Sequence, residues 1–281
     1  MSKECFLCNK TNYKTELIIN SPDRFELALG ISSKNYSRKW KKCLGCSLYY
    51  NVNSKKNQKL VNSIGDKYYE FDFPNINLVD RFNEIISLPN EKSDNYYRVQ
   101  RIKTFVNEYL SLKNEKINTL DIGSGLGIFM HALIDQNWSG TAIEPDPIPY
   151  KVLKQISNKR FRTIQSLYHT NLIEEKFNLI TFNKVLEHIE NPINLLQQVK
   201  SNLASDGLIY VEVPDSKTVK THPHDDNILG SLHMNLYNVK SLSLLFKKSS
   251  LVPVKVNQII EPSGKITTYG FAKKINLINE S

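Results

Sequence analysis

From residue 117 onward, short apolar runs alternate with segments of helical period, and this alternation constrains the fold more than any other feature. The apolar runs predict strands at 117–122, 141–144, 161–164, 177–182, 207–213, 253–260 and 267–274. Helices are predicted at 128–136, 148–157, 192–202 and 239–248, and a further one from residue 93. Strands that alternate with helices form a parallel sheet with right-handed crossovers. We therefore expect an α/β, Rossmann-like sheet of seven mostly parallel strands with helices on both faces.

All the cysteines of the chain lie in two C-x-x-C pairs near its start, Cys5 with Cys8 and Cys43 with Cys46. Paired cysteines supply the four soft ligands of a tetrahedral structural zinc site. A redox dithiol is an alternative for a C-x-x-C pair, although nothing else in the sequence resembles a thioredoxin. The cysteines therefore predict a small zinc-ribbon-like domain whose metal is structural.

The chain divides into three predicted segments: a zinc-ribbon-like domain at 1–55, a linker or cap at 56–95, and a cofactor-binding domain at 96–281. Tyr68 and Tyr69 of the middle segment are candidates to fold over the cofactor. The sequence contains no run of eighteen apolar residues and no apolar signal region, so we expect a soluble, cytoplasmic protein without membrane insertion. Nothing in the sequence predicts an oligomeric state.

The formal net charge is +9, and the densest basic run, 38–42, adjoins a cysteine pair. A lysine-rich solvated surface explains this excess most simply. A basic surface that attracts an acidic acceptor or a nucleic acid is the alternative.

A glycine-rich turn follows the first predicted strand, which ends near Asp121. Glycines let the backbone turn tightly and approach a ligand closely. A phosphate on this turn would be repelled by Asp121, whereas a ligand with an amino group and a sulfonium would be attracted. Ile128 also replaces the third glycine of the dinucleotide-binding motif. The turn therefore favours S-adenosylmethionine over a nicotinamide cofactor. Its predicted contacts are Asp121, Gly123, Ser124, Gly125 and Gly127.

Further cofactor contacts are predicted at the ends of the next three strands. Glu144 ends the second strand, where an acid binds both ribose hydroxyls of an adenosine. Gln165 and Ser166 follow the third strand and are expected to flank the adenine ring. Asn183 and Leu186 follow the fourth strand and are expected to close the methionine side.

Together these motifs resemble the class I S-adenosylmethionine-dependent methyltransferases. The resemblance rests on Asp-x-Gly-x-Gly-x-Gly, on the acid that ends the second strand, and on Val-Leu-Glu-His-Ile-x-x-Pro at 185–192. With the cysteine pairs added, the chain is similar to bacterial sugar methyltransferases that act on nucleotide-linked deoxysugars or other glycans. The resemblance implies methyl transfer to a small acceptor, acidic or sugar-linked. Leu232 stands where those enzymes have a glutamate, and their C-methylating members carry a further C-terminal domain, so we expect O-methylation or another small acceptor.

A hydroxyl acceptor must lose its proton, and histidine is the usual general base near neutral pH. His188 follows the fourth strand, and His222 and His224 lie in the insertion after the fifth. His233 occupies the position of a histidine that the sugar methyltransferases keep, and it is the first candidate for the base.

Two other functions fit the sequence. An RNA methyltransferase could use the basic run beside the ribbon, with Trp40 in it, to bind nucleic acid. Against this, the fourth strand lacks the Asn/Asp-Pro-Pro-aromatic turn used on the exocyclic amines of bases. A non-catalytic protein could keep the cofactor site and transfer nothing.

Overall fold

The computed structural model describes residues 4–63, 76–110 and 116–275. Tyr68 and Tyr69 lie outside the described residues. The strands are β1 (Tyr13–Ile19), β2 (Arg38–Cys43), β3 (Tyr49–Val52), β4 (Ile117–Ile122), β5 (Trp138–Ile143), β6 (Arg162–Ile164), β7 (Phe177–Asn183), β8 (Leu203–Pro214), β9 (Asn235–Leu236), β10 (Leu251–Ile260) and β11 (Ile266–Lys274). The helices are α1 (Arg24–Ala28), α2 (Lys55–Asn62), α3 (Leu78–Ile86), α4 (Asp94–Leu110), α5 (Ile128–Leu133), α6 (Pro147–Ser157), α7 (Pro192–Gln198), α8 (Thr218–Thr221) and α9 (Val239–Lys248).

A seven-stranded sheet forms the larger part of the described structure, in the order β10-β11-β8-β7-β4-β5-β6. The strands from β8 to β6 are parallel, whereas β11 runs antiparallel to β8 and β10 antiparallel to β11. The predicted seven-stranded, mostly parallel sheet is confirmed. The carboxyl ends of β4, β5, β7 and β8 consequently meet at one edge, where ligands of such sheets bind.

Two predicted helices are shorter than expected. The helix predicted at 128–136 ends at Leu133, because the Asp135 carboxylate accepts hydrogen bonds from the backbone of Asn137 and Trp138 and forms a turn. The helix predicted at 192–202 ends at Gln198, and the chain continues as a 3-10 turn over Val199–Asn202.

Helices cover both faces of the large sheet. On one face, Val211 and Val213 of β8 pack in the same cluster as Phe246 of α9. On the other face, Tyr210 of β8 packs in a cluster with Ile102 of α4. Alternate residues of one strand thus point into two separate cores, as the pleat requires.

A second, antiparallel sheet has the order β1-β2-β3-β9. Its first three strands come from the N-terminal segment, and β9 comes from the insertion after β8. We name β1 to β3 with their cysteine turns the small module. Its Leu7 and Leu48 are fully buried in the cluster that also contains α9, so the small module and the large sheet share a core. None of the helices described here is long and apolar enough to cross a membrane.

Candidate functional site

The glycine-rich turn connects β4 to α5 at the carboxyl edge of the large sheet. Gly123 has φ +74°, and a Cβ there would lie 2.6 Å from a methyl carbon of Val185. Gly127 has φ +79°, and a Cβ there would lie 2.5 Å from a methyl carbon of Leu153. Both the left-handed backbone and the close neighbours require glycine at these two positions.

Asp121 is buried at the end of β4, directly before this turn. Its Oδ1 accepts hydrogen bonds from Thr181 Oγ1 at 2.6 Å and from Asn183 Nδ2 at 2.9 Å. Burial raises the pKa of Asp121, and these hydrogen bonds oppose the increase. The Oδ1 atom of Asn183 is buried and has no hydrogen-bond partner among the described residues. A carboxylate and an unpartnered amide oxygen fit the ammonium group of an amino-acid moiety.

Glu144 connects the end of β5 to the glycine-rich turn. Its Oε2 accepts a hydrogen bond from the Gly125 N–H at 2.7 Å, and its Oε1 accepts one from the Asp146 N–H at 2.9 Å. Burial raises the pKa of Glu144 to about 7, although the two backbone hydrogen bonds oppose this increase. The carboxylate retains lone pairs that can accept hydrogen bonds from the vicinal hydroxyls of a ribose.

The remaining predicted cofactor residues lie in different surroundings. Gln165 is exposed after β6, and the Ser166 hydroxyl donates to the Leu167 carbonyl at 2.8 Å. Leu186 is fully buried in a 3-10 turn over Leu186–His188. The adenine contacts stay a prediction.

Two of the four candidate histidines come together. His188, from the turn after β7, and His233, from the insertion after β8, have ring centroids 4.6 Å apart. His222 Nδ1 instead lies 2.8 Å from an oxygen of Asp226, and His224 is exposed. Burial lowers the pKa of His188 to about 4 and that of His233 to about 3, so both rings are neutral and weakly basic at pH 7. Their role as general bases stays a prediction.

A buried ionic network lies beside this site, and the sequence reasoning missed it. Glu212 of β8 is fully buried, and both of its oxygens accept hydrogen bonds from Arg98 of α4 at 2.7–3.0 Å. Arg101 donates to Glu212 at 2.8 Å, and Lys184 Nζ lies 3.5 Å from it. The positive charge of Arg98 also opposes the increase that burial causes in the pKa of Asp121. A Glu in a strand and an Arg in a helix carry no sequence signal that pairs them.

Glu187 is the second residue that the sequence reasoning missed. In the sequence it is only one residue of the Val-Leu-Glu-His motif that contains His188. Its carboxylate is fully buried, and burial raises its pKa to about 8.

The four cysteines converge in the small module as free thiols. The sulfur atoms of Cys5 and Cys46 lie 3.5 Å apart, and so do those of Cys8 and Cys43. Four sulfurs around one zinc ion at bond lengths of about 2.3 Å would lie roughly 3.8 Å apart. The Tyr50 hydroxyl donates to Cys5 Sγ at 2.9 Å, as outer residues of metal sites commonly do. The cluster is consistent with a zinc ribbon.

A basic cavity of about 310 Å³ lies where the small module meets the end of β8. Its charged lining residues are Lys42, Asp215, Lys217, Lys220 and Lys240. Four lysines and one aspartate line the cavity, and only the ammonium of Lys220 lies near a further carboxylate, that of Glu16 at 3.6 Å, among these lysines in the described residues. The excess of lysines gives the cavity a positive potential.

Comparisons with known proteins agree with this geometry. A family described as "Methyltransferase domain" matches residues 95–256. Among curated proteins, the chain is 29% identical over 112 residues to the ubiquinone biosynthesis O-methyltransferase of Haemophilus ducreyi, covering 37% of this chain and 47% of that protein. It is 23% identical over 146 residues to the same enzyme from Actinobacillus pleuropneumoniae serotype 7, covering 47% of this chain and 62% of that protein. The chain thus spans about half to three fifths of the curated relatives it matches.

Solved methyltransferase structures share the fold at low sequence identity. The plantazolicin methyltransferase, solved with S-adenosylhomocysteine, has a TM-score of 0.57 and 12% identity, covering 78% of this chain and 99% of that one. Magnesium protoporphyrin IX methyltransferase from Synechocystis PCC 6803 has a TM-score of 0.56 and 11% identity, covering 76% and 100%. At such identities the likeness shows the fold alone.

Proposed function

Because the chain belongs to the methyltransferase-domain family and is an S-adenosylmethionine-dependent methyltransferase, we propose that its acceptor is a hydroxyl group of a nucleotide sugar or bacterial surface glycan. The observation that carries this proposal is the polar cluster of Glu187, His188 and His233 next to the predicted methionine side of the donor site. The curated relatives named above are O-methyltransferases, which supports an oxygen acceptor.

The donor would be held by residues of β4, β5 and β7. Asp121 and Asn183 would bind its ammonium group, and Glu144 its ribose hydroxyls. When bound, the donor supplies a methyl carbon activated by a sulfonium for in-line displacement. Much of the catalysis then consists of aligning the acceptor oxygen with that carbon.

The acceptor hydroxyl would lie against the two histidines. His233 Nδ1 lies 2.7 Å from the Ile228 carbonyl oxygen, which can only accept a hydrogen bond. Nδ1 therefore carries the proton, and the lone pair of Nε2 is available to the acceptor hydroxyl. The ring would orient the hydroxyl through Nε2. Because burial lowers the pKa of His233 to about 3, the ring would be a weak proton acceptor, and alignment would contribute more to catalysis than proton removal.

The basic cavity supports an acceptor that carries phosphate. It lies at the carboxyl end of β8, at the same edge of the sheet as the proposed donor site. Lys217 and Lys220 follow that strand directly, and Lys42 comes from the small module. Ammonium groups bind phosphate as point charges, which suits the diphosphate of a nucleotide sugar.

The four cysteines would hold a zinc ion that stabilises the small module. With four protein ligands the site is closed, so the ion would take no part in methyl transfer. The predicted result is one tightly held zinc ion per chain that survives dialysis.

The test is transfer of a labelled methyl group from S-adenosylmethionine to nucleotide sugars, glycans and RNA. We expect label in a nucleotide sugar, and the double variant Lys217→Glu/Lys220→Glu should raise KM for it more than it lowers kcat. Lys247→Glu, a charge reversal at the exposed far end of α9, is the matched control. Label in RNA alone would replace this proposal with the RNA alternative. Donor binding without transfer to any hydroxyl acceptor would favour the non-catalytic alternative.

A further inference from the structure

We propose that Glu187, His188 and His233 bind a divalent first-row metal ion beside the acceptor site. This site is separate from the cysteine cluster, and it would take an ion that prefers nitrogen and oxygen ligands. Its role in methyl transfer rests on the proposed function, whereas the binding of the ion does not.

The backbone brings the three side chains together from two distant segments. Glu187 and His188 are consecutive in the 3-10 turn after β7, and His233 lies in the insertion before β9. The Met234 N–H donates to the Glu187 carbonyl at 2.8 Å, which joins the two segments. One ligand atom from each of the three side chains lies within 4.8 Å of the other two. Ligand atoms bonded to one ion at 2.0–2.2 Å lie roughly 3 Å apart, so small side-chain rotations would complete the site.

The burial of the Glu187 carboxyl group supports a cation site. It is fully buried, and apart from the N–H of its own backbone neither of its oxygens has a hydrogen-bond partner among the described residues. Burying a carboxylate without partners is unfavourable, and buried carboxylates are normally paired or bound to a metal. The ammonium of Lys184 is nearby but donates to Thr267 at 2.6 Å and lies 3.5 Å from Glu212. A metal ion would supply the partner that the protein leaves out.

The histidines are oriented as metal ligands are. His188 Nδ1 lies 3.1 Å from the Leu232 carbonyl oxygen, and His233 Nδ1 lies 2.7 Å from that of Ile228. Since a carbonyl oxygen only accepts, each Nδ1 carries the ring proton, and Nε2 would be the atom of each ring that binds the ion. Metal-bound histidines almost always donate their other N–H to a carbonyl or carboxylate in this way. Both rings are partly exposed, so the ion would keep open positions.

Two imidazoles and one carboxylate suit Mn²⁺, Fe²⁺, Co²⁺ or Zn²⁺. An ion at this place would bind the acceptor hydroxyl and lower its pKa, as metal ions do for bound water. With the ion bound, the Nε2 lone pair of His233 is used for the ion and no longer faces the hydroxyl. The hydroxyl proton would then pass to solvent rather than to the ring, and the oxygen would form a bond to the methyl carbon. The electron pair of the broken S–C bond returns to sulfur, which leaves a neutral thioether. Charge and atoms balance without another reactant.

The probe is Mn²⁺, which binds thiolates poorly and is followed by its electron paramagnetic resonance signal. The full chain, with zinc supplied only in the amount that its four cysteines require, is titrated with Mn²⁺ in the absence of donor and acceptor. We expect one equivalent of Mn²⁺ to be bound. Glu187→Gln and His233→Ala should each weaken that binding at least tenfold. His169→Ala, at an exposed histidine outside the cluster, is the matched control and should bind like the wild type.

Thermal unfolding of each variant tests whether it is folded. If His233→Ala does not fold, Glu187→Gln still tests the site, because it keeps the volume of the side chain. Failure of the wild type to bind Mn²⁺ overturns the proposal, and so does wild-type affinity in both variants. Methyl transfer is measured separately, with and without added Mn²⁺. If Mn²⁺ binds but does not change the rate of methyl transfer, the metal site stands and its catalytic role is refuted. If methyl transfer occurs and no Mn²⁺ binds, the proposed function stands and the metal site is refuted.

Discussion

Donor affinity should depend on pH through Glu144. Its carboxylate already accepts hydrogen bonds from the Gly125 and Asp146 N–H groups. Two ribose hydroxyls would add two more, and a protonated carboxyl cannot accept all four because one oxygen then carries hydrogen. Binding therefore requires the ionised form, and burial raises the pKa of this carboxyl to about 7 in the unbound protein.

The expected magnitude follows from that pKa. With a pKa of about 7, roughly nine tenths of the carboxyl is ionised at pH 8 and roughly one tenth at pH 6. Because apparent affinity is proportional to the ionised fraction, the Kd for the donor should rise about tenfold when the pH is lowered from 8 to 6. This corresponds to a loss of about 1.4 kcal/mol of binding free energy. His188 and His233, with pKa values of about 4 and 3, do not titrate in this range. Glu187, with a pKa of about 8, does titrate there, but it does so in both the wild type and Glu144→Gln, so comparing the two proteins removes its effect.

Isothermal titration of S-adenosylhomocysteine between pH 6 and pH 8 measures this change. Glu144→Gln is the control, since it removes the titration while it keeps the side-chain size, and its affinity should be lower and less dependent on pH. Groups on the ligand titrate equally with both proteins, so the ratio of the two affinities isolates Glu144. An equal pH dependence in both proteins would refute the reasoning.

The Glu144 carboxyl should also affect the stability of the folded chain, and this effect should depend on pH in the opposite direction to donor affinity. Its pKa is higher in the folded protein than its ordinary value of 4.5, so the folded chain binds this proton more tightly. The contribution of this carboxyl to the free energy of unfolding is fully present below pH 4.5 and is lost as the pH rises through about 7. The pH dependence of urea unfolding, compared between wild type and Glu144→Gln in the absence of ligand, measures that difference.

Three further predictions concern the scaffold of the site. Gly127→Ala should lose about 1–3 kcal/mol more stability in urea unfolding than Gly264→Ala, because both have positive φ but only the first would collide with a neighbour; equal losses would contradict this. Glu212→Gln should cost about 3–5 kcal/mol, because it leaves the Arg98 guanidinium buried without a charged partner; a loss below about 1 kcal/mol in the same assay would show that the network contributes little. Cys43→Ser should abolish bound zinc in metal analysis, and undiminished zinc would rule out the four-cysteine site.

The residues of the proposed donor site can be identified from the sequence because their signals are local. Asp121, the glycine-rich turn and Glu144 follow one another within two strands, and the spacing alone places them at one edge of the sheet. The ionic network beside the site and the proposed acceptor half both depend on contacts between distant residues. Arg98 meets Glu212 across 114 positions, and neither residue indicates its partner.

The position of His233 likewise could not be predicted from sequence patterns. His233 approaches His188 because of how the insertion after β8 folds, and no periodicity predicts that path. The strand that fixes it, β9, is two residues long and too short to produce an alternating pattern. The resemblance to sugar methyltransferases indicates His233 as a candidate, but it does not indicate that His188 lies beside it.

The pairing of β3 with β9 has a consequence for the order in which this chain is made. Tyr49 pairs with Leu236 and Tyr50 with Asn235. The residues of β3 are therefore synthesised long before those of β9, with which they pair. Until then β3 has an unpaired edge, which can associate with other chains. We expect the isolated N-terminal segment to self-associate, and completion of the small module to be a late folding event. A fold that looks like two units in sequence would therefore mature as one.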